Sequence, residues 1–261
     1  MTVLCDIRHL GIRYRNAQAS SLENVSLTLQ AGERLAVIGE SGSGKSTFAR
    51  ALARLLPPGV TSSGQIVWPS FSPTPQPGRD LGFVFQDPGA SLNPVLTIGE
   101  QVAEGAKRHL GLNWKQAFAR AADLLERVRL PEPEHLLRAF PHQLSGGQRQ
   151  RVAIAAAIAA RPSILFADEV TSALDQAVQA EIVALLDELV REQAMTLVFI
   201  THDIALASML ADRIAVFAAG RLQEIGPVRQ IVGNPQSQAA KTLLAAHIDL
   251  ETPSLVAGGR T

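Results

Sequence analysis

Gly39-Glu40-Ser41-Gly42-Ser43-Gly44-Lys45-Ser46-Thr47 joins an apolar run, Leu35-Ala36-Val37-Ile38, to a segment rich in Ala, Leu and Arg, Phe48 to Leu56. The run is short, compatible with β-structure and bounded by Gly, so it reads as a buried strand; the segment after it reads as a helix. A strand, a Gly-rich turn and a helix in that order make a phosphate cradle. Glycine lets backbone N–H groups turn inward on an anion without steric cost, and the helix N-terminus adds partial positive charge. In such a cradle Lys45 supplies a full charge for the β- and γ-phosphates and the Ser46 hydroxyl is a ligand for Mg²⁺. A Gly/Ser surface loop with the same spelling is the bland alternative, and the flanking strand and helix weigh against it. The expected ligand is a nucleoside triphosphate.

The chain has 261 residues, 46% of them hydrophobic, which is enough for a sizeable core. Basic and acidic residues balance at 24 each, so nothing global favours nucleic acid or an anionic membrane surface. A single cysteine, Cys5, rules out an internal disulfide and argues against a Cys-built metal site; it fits a reducing compartment. The first residues, Met1 to Arg8, lack the basic region and long apolar stretch of a signal peptide. No run of about twenty apolar residues occurs, so a membrane-spanning segment is not expected.

Along the chain, short alternating runs at Val3–Leu10, Val25–Leu29 and Leu35–Ile38, separated by turn signals, predict an antiparallel β-layer leading into the phosphate-loop strand. Tyr14, the sole tyrosine, lies in this layer and either stacks on a purine or fills a strand face. Strands are predicted at Gly64–Trp68 and Leu81–Phe85, with a loose connection over Pro69–Arg79, which holds four prolines. From Thr97 to about His142 the apolar spacing becomes helical, so a helical subdomain is inserted there. A helix then opens at Leu144-Ser145-Gly146-Gly147-Gln148 and runs to about Ala160. Ile164–Ala167 is a buried strand closing on Asp168-Glu169, followed by a helix Ala177–Gln193, a strand Thr196–Ile200 and then Thr201-His202-Asp203. Strands at Arg213–Phe217 and Arg221–Ile225 finish the core. Alternating strands and helices predict a mainly parallel sheet covered on both faces.

Asp168 and Glu169 stand where an apolar strand ends, the usual place for ligand-facing groups in an open α/β sheet. Asp168 is placed to hold Mg²⁺ directly or through water, and Glu169 to act as general base on an attacking water. Two carboxylates after a strand also suit a helix cap and a solvated charge; the phosphate loop in the same sheet favours the catalytic reading.

Taken together, these motifs resemble the ATP-binding cassette (ABC) ATPases. The phosphate loop 39–47, Gln86 after a strand, the Leu144–Gln148 turn, Ile164–Glu169, Ser172-Ala173-Leu174-Asp175 and His202 occur in that family's order, over about residues 3 to 247. The resemblance implies an α/β fold: a P-loop NTPase core with a mainly parallel sheet, an N-terminal antiparallel β-layer and an inserted helical subdomain. It implies one domain over residues 1–250, with the core at 1–96 and 143–250, the helical subdomain at about 97–142, and a fraying tail at 251–261. ATP and Mg²⁺ are the implied ligands. Two cassettes would pair head-to-tail, each ATP held between Gly39, Glu40, Ser41, Gly42, Ser43, Gly44, Lys45, Ser46 and Thr47 of one and Ser145, Gly146, Gly147 and Gln148 of the other. Gln86 would contact Mg²⁺ and the attacking water, His202 the γ-phosphate, and Asp175 the dimer seam, while Tyr14 matches the aromatic that stacks on adenine. One position departs from the family: Val170 stands where proline usually follows the catalytic glutamate, which implies retained but altered hydrolysis.

Gln86-Asp87-Pro88-Gly89-Ala90-Ser91-Leu92-Asn93-Pro94 is similar to the peptide and nickel uptake branch, where it lies near the docking surface for a permease helix. Gly233-Asn234-Pro235-Gln236 matches that branch's C-terminal pattern only in part. The implied partners are a second ABC ATPase subunit, identical or related, two transmembrane permeases and, indirectly, a solute-binding protein, at the cytoplasmic face of the inner membrane; no nucleic acid is expected. A soluble cassette acting on DNA or ribosomes is the alternative, disfavoured because 97–142 lacks sustained heptads. A regulatory cassette that binds ATP without hydrolysing it is disfavoured by intact Lys45, Asp168, Glu169 and His202.

Overall fold

The computed structural model describes residues 2–15, 17–171 and 176–251. Two sheets share one body. Strands β1 (Val3–Arg13), β2 (Leu22–Gln30) and β4 (Thr61–Val67) form an antiparallel layer in the order β2-β1-β4. The second sheet adds β3 (Arg34–Gly39), β5 (Leu81–Val84), β6 (Ile164–Asp168), β7 (Thr196–Ile200), β8 (Arg213–Ala218) and β9 (Arg221–Pro227) in the order β5-β6-β7-β3-β8-β9. Every pairing there is parallel except β8 with β9. The phosphate-loop strand β3 therefore runs in the interior of the sheet, between β7 and β8.

Period-two alternation distributes the core. Leu35 and Val37 of β3 join Ile164, Phe166, Val198 and Ile200 on the face covered by the antiparallel layer and by α1 (Lys45–Leu52). Ala36 and Ile38 join Leu165, Ala167, Leu197 and Phe199 on the opposite face, under the remaining helices. Phe48 of α1 seats on Phe217 of β8 with ring centroids 5.1 Å apart, both fully buried, which anchors the helix that carries Lys45 and Ser46.

Helices α3 (Ile98–His109), α4 (Trp114–Arg127) and α5 (Pro133–Leu136) make the helical insert. Its start at Thr97 has a chemical cause: Thr97 Oγ1 accepts from Glu100 N at 3.3 Å and Glu100 Oε2 accepts from Thr97 N at 2.8 Å, a reciprocal cap. Asn113 and Gln116 repeat the device at α4. The insert closes on itself where Ile98 N and Gly99 N donate to Ala139 O and Leu137 O at 2.8 and 3.0 Å. Helix α6 (Gly146–Ile158) carries the chain back to the core, and α7 (Gln176–Glu192), α8 (Ile204–Leu210), α9 (Val228–Gly233) and α10 (Gln238–Glu251) complete that face. A short helix α2 (Pro88–Ser91), not foreseen from the sequence, follows Asp87, whose side chain accepts from Gly89 N. Ser172–Asp175 and residues beyond 251 lie outside the described residues, so the readings made of Asp175 and of the tail rest on sequence alone.

Among the described residues no helix is long and apolar enough to cross a membrane. Cys5 is fully buried in β1, and burial, with a smaller contribution from Asp6, pushes its thiol up to about 12. Alkylating reagents are accordingly expected to leave Cys5 unmodified in the native protein and to label it fully in denaturant; rapid labelling of the folded chain, read by mass spectrometry, would contradict this packing.

Candidate nucleotide-binding site

The site is assembled at the ends of β3 and β6. Strand β3 finishes at Gly39, where a Cβ would lie 2.2 Å from Phe217 O, so only glycine lets the chain turn this close to β8. Gly44, at φ 100°, caps α1; a Cβ there would meet Ser21 O at 2.5 Å. The loop is further pinned by Ser43 N donating to Glu40 O at 3.2 Å and Gly220 N donating to Ser43 O at 3.1 Å.

Lys45 is buried, with 5% of its surface exposed, and its ammonium donates to Gly39 O at 2.8 Å and Glu40 O at 2.7 Å. Burial lowers its pKa, and Glu169 and Asp168 push the other way. Ser46 Oγ donates to Asp168 Oδ1 at 2.8 Å, across 122 positions of sequence. Asp168 is 1% exposed; burial raises its carboxyl pKa, opposed mainly by the Ser46 hydrogen bond and then by Arg50, whose Nη2 stands 4.0 Å from Oδ2. Gln86 Nε2 donates to Glu169 Oε2 at 3.0 Å, which brings the end of β5 to the same place. Glu169 adopts φ 45°, a left-handed conformation uncommon for a residue with a Cβ and concentrated at functional sites. Its N–H donates to Ile200 O at 3.1 Å, tying it to the neighbouring strand.

Of these groups Lys45, Ser46, Gln86 and Glu169 line a cleft of about 330 Å³, together with Ser21, Ser41, Gly42, Gly44 and Thr47, and Asp168 lies behind it, joined through Ser46. Gly39, Glu40 and Ser43 form the base of the loop beneath it. Tyr14 is half-buried against the β1 side, and its hydroxyl lies 3.3 Å from Thr47 Oγ1, so the aromatic sits beside the last loop residue. Ser21 and Arg50 were not foreseen: neither belongs to a motif, and only folding brings them to the loop and to Asp168.

Two groups stand apart. His202 follows β7, is exposed and does not line this cleft. Ser145, Gly146, Gly147 and Gln148 begin α6, also outside the lining. There Ser145 and Gln148 cap the helix reciprocally, Ser145 N donating to Gln148 Oε1 at 2.9 Å and Gln148 N to Ser145 Oγ at 3.3 Å. A single chain thus gathers Lys45, Ser46, Gln86, Asp168 and Glu169 and presents the α6 start elsewhere.

Comparison with known proteins agrees with this geometry. A family model described as ABC transporter matches residues 22–172. The glutathione import ATP-binding protein GsiA of Salmonella typhimurium is 42% identical over 253 residues, covering 91% of this chain and 41% of the relative. GsiA of Escherichia coli K12 is 41% identical over 257 residues, covering 92% and 41%. The chain therefore spans about two fifths of the length of these relatives. Among solved structures, the dimeric post-hydrolysis state of the ATP-binding cassette MJ0796, bound to ADP and Pi, superposes with a TM-score of 0.75 at 31% identity, covering 87% of this chain and 99% of that one. The cbiO1 protein of Clostridium perfringens, part of the ABC transporter complex cbiONQ, superposes with a TM-score of 0.72 at 26% identity, covering 97% of each chain. A phosphate loop, strand-end carboxylates and helical insert arranged like this, with a family model matching more than half of the chain, place it in the ABC transporter family.

Proposed function

We propose that the chain binds ATP with Mg²⁺ and hydrolyses it as the cassette subunit of an ABC importer, driving solute uptake through separate membrane permeases. The observation that carries the ATPase reading is the meeting of Lys45, the Ser46–Asp168 pair and the Gln86–Glu169 pair at one cleft. The residues fit a magnesium ion. Asp168 is a buried carboxylate that accepts from the Ser46 hydroxyl and feels the Arg50 guanidinium 4.0 Å away and the Lys45 ammonium, yet burial still holds its pKa up, and the donors are all hard oxygens. Ser46 and Asp168 would hold the ion, with Gln86 beside it, and when bound it supplies charge neutralisation for the phosphates.

Lys45 exchanges its two carbonyl partners for phosphate oxygens, and the loop N–H groups and α1 N-terminus orient the chain of phosphates. Glu169, held by Gln86, accepts a proton from the attacking water. Ser145 and the glycines after it present a second helix N-terminus, suited to the γ-phosphate of a facing cassette; His202 reaches the same phosphate once the pair closes, and Tyr14 offers its ring to adenine. Hydrolysis then depends on dimer closure. The solute class we infer is a small peptide, as the names of the GsiA relatives suggest, with nickel or metal complexes as the sibling class.

Co-purification from detergent-solubilised membranes tests the transporter assignment. The chain is expected to emerge with permease subunits and a second cassette, at the cytoplasmic face of the membrane. Recovery with ribosomes or DNA, and never with a permease, would favour the soluble-cassette alternative.

A further inference from the structure

The two acids at the end of β6 are held from different sides. Glu169 is met by Gln86, whose Nε2 donates to Oε2 at 3.0 Å. Asp168 is met from α1. Ser46 and Arg50 stand four residues apart on that helix, so they share a face, and each addresses one oxygen of the same carboxylate. Ser46 Oγ donates to Oδ1 at 2.8 Å, and Arg50 Nη2 stands 4.0 Å from Oδ2. With only 1% of Asp168 exposed, solvent does not set the direction of its carboxylate, so its neighbours do. Lys45 is the other nearby cation, but its ammonium is engaged by Gly39 O and Glu40 O.

Among the described residues Asp168 is the one carboxylate within 4.0 Å of the Arg50 guanidinium. The Arg50 side chain is 42% exposed and lines a cleft of about 290 Å³ with Phe85, Gln86, Asp87 and Ser91. Gln86 lines the same cleft, so the residue that meets Glu169 and the residue that pairs with Asp168 stand together on one surface. A separation of 4.0 Å is too long for a hydrogen bond, so Arg50 acts on Oδ2 through its charge. For a metal at Asp168 that charge has two opposed consequences. It fixes the carboxylate, which favours coordination, and it is a like charge near a dication, which disfavours it. Solvent screens the repulsion from a side chain this exposed, whereas the direction of a buried carboxylate is unaffected by solvent. We infer that Arg50 is a positioning residue: it draws Oδ2 toward α1 and leaves Oδ1 on Ser46, so that the Ser46–Asp168 pair is set for Mg²⁺ before the ion arrives. The proposal rests on the reading of the larger cleft as a Mg²⁺–nucleotide site.

Two measurements on the full chain test it, neither of them turnover. The first is thermal unfolding without nucleotide or metal. Arg50→Met, which keeps most of the apolar stem and removes the charge, is expected to lower the melting temperature by about 1–2 °C, the scale of a partly exposed ion pair. In an Asp168→Asn background the same change is expected to have no effect. An equal loss in both backgrounds would show that Arg50 acts by packing and would overturn the proposal. The second is the Mn²⁺ affinity of the ATP-loaded chain, read by electron paramagnetic resonance, with Mn²⁺ standing in for Mg²⁺. Arg50→Met is expected to weaken it about tenfold, the lower end of what a group behind a metal ligand contributes, while ATP affinity in EDTA stays within about twofold. Arg50→Lys, which restores the charge, is expected to fall between the two. Unchanged or tighter Mn²⁺ binding in Arg50→Met would overturn the proposal, since the guanidinium would then be only a repelling charge. A chain that binds Mn²⁺ and ATP in this Arg50-dependent way without hydrolysing ATP would sink the ATPase reading alone. A hydrolysing chain whose Mn²⁺ affinity is indifferent to Arg50 would sink this proposal alone.

Discussion

Glu169→Gln is expected to lower ATP turnover by roughly 100-fold or more while nucleotide affinity stays within a few-fold, the usual consequence of removing a general base. The substitution is nearly isosteric, and its side-chain oxygen still accepts from Gln86 Nε2, which now reaches Glu169 Oε2 at 3.0 Å. The left-handed turn at φ 45° is a backbone property and is retained. What disappears is the carboxylate proposed as proton acceptor beside the phosphate loop. Phosphate release at saturating ATP, paired with binding of a fluorescent ATP analogue, separates the two effects. Undiminished turnover would remove Glu169 as base; loss of binding and turnover together would point to a misfolded loop.

Asp168→Asn carries a two-sided expectation. Burial holds the Asp168 carboxyl above the usual carboxylate range, with the Ser46 hydroxyl and Arg50 opposing this only in part. Because the folded pKa lies above the unfolded one, the native state binds the proton more tightly across the window between them. Stability therefore falls as pH rises through that window and stays diminished at neutral pH. Asparagine removes the charge and keeps an oxygen for Ser46. The nucleotide-free variant is expected to be more stable than wild type at neutral pH by about 0.5–2 kcal/mol, with the gain shrinking once acid protonates Asp168 in the native chain. Turnover is expected to fall about 100-fold, because the carboxylate proposed to hold Mg²⁺ is gone. Thermal unfolding at neutral and acidic pH, alongside phosphate release, checks both halves. A variant less stable than wild type at neutral pH would show that Asp168 is already well compensated.

What the sequence makes legible here is local and periodic. The phosphate loop, the apolar strands before it and before Asp168, and the start of the insert at Thr97 are written in contiguous residues, and the insert's boundary is fixed by a four-residue cap. The strand over Gly64–Trp68 extends in fact from Thr61 to Val67, because the exposed residues at its start pair with β1 with no apolar signal of their own. Helix α2 escapes sequence reading because four residues have no periodicity; its one cue is the Asp-Pro-Gly capping sequence. Long-range pairings are the harder class. Ser46 with Asp168, Gln86 with Glu169 and Tyr14 with Thr47 are separated by 122, 83 and 33 positions. Motif logic anticipates that the first two pairs share a site, but not the hydrogen bonds themselves. Nothing in the sequence marks Ser21 or Arg50 as neighbours of the cleft, since a serine on a strand approach and an arginine on a helix are ordinary surface residues until the sheet closes beneath them. The capping of Ser145 by Gln148 is likewise a local bond inside a motif that a reader would assign wholly to ligand.

The seating of Lys45, with its ammonium on the carbonyls of Gly39 and Glu40, bears on how the loop is braced. A buried cation without such partners would ordinarily draw in water or shed its proton, and either would loosen the loop. Here the peptide oxygens solvate the charge from the chain's own backbone, so the loop is braced from within. On the proposed function, capture of a triphosphate is then a swap of one set of oxygens for another rather than a refolding event.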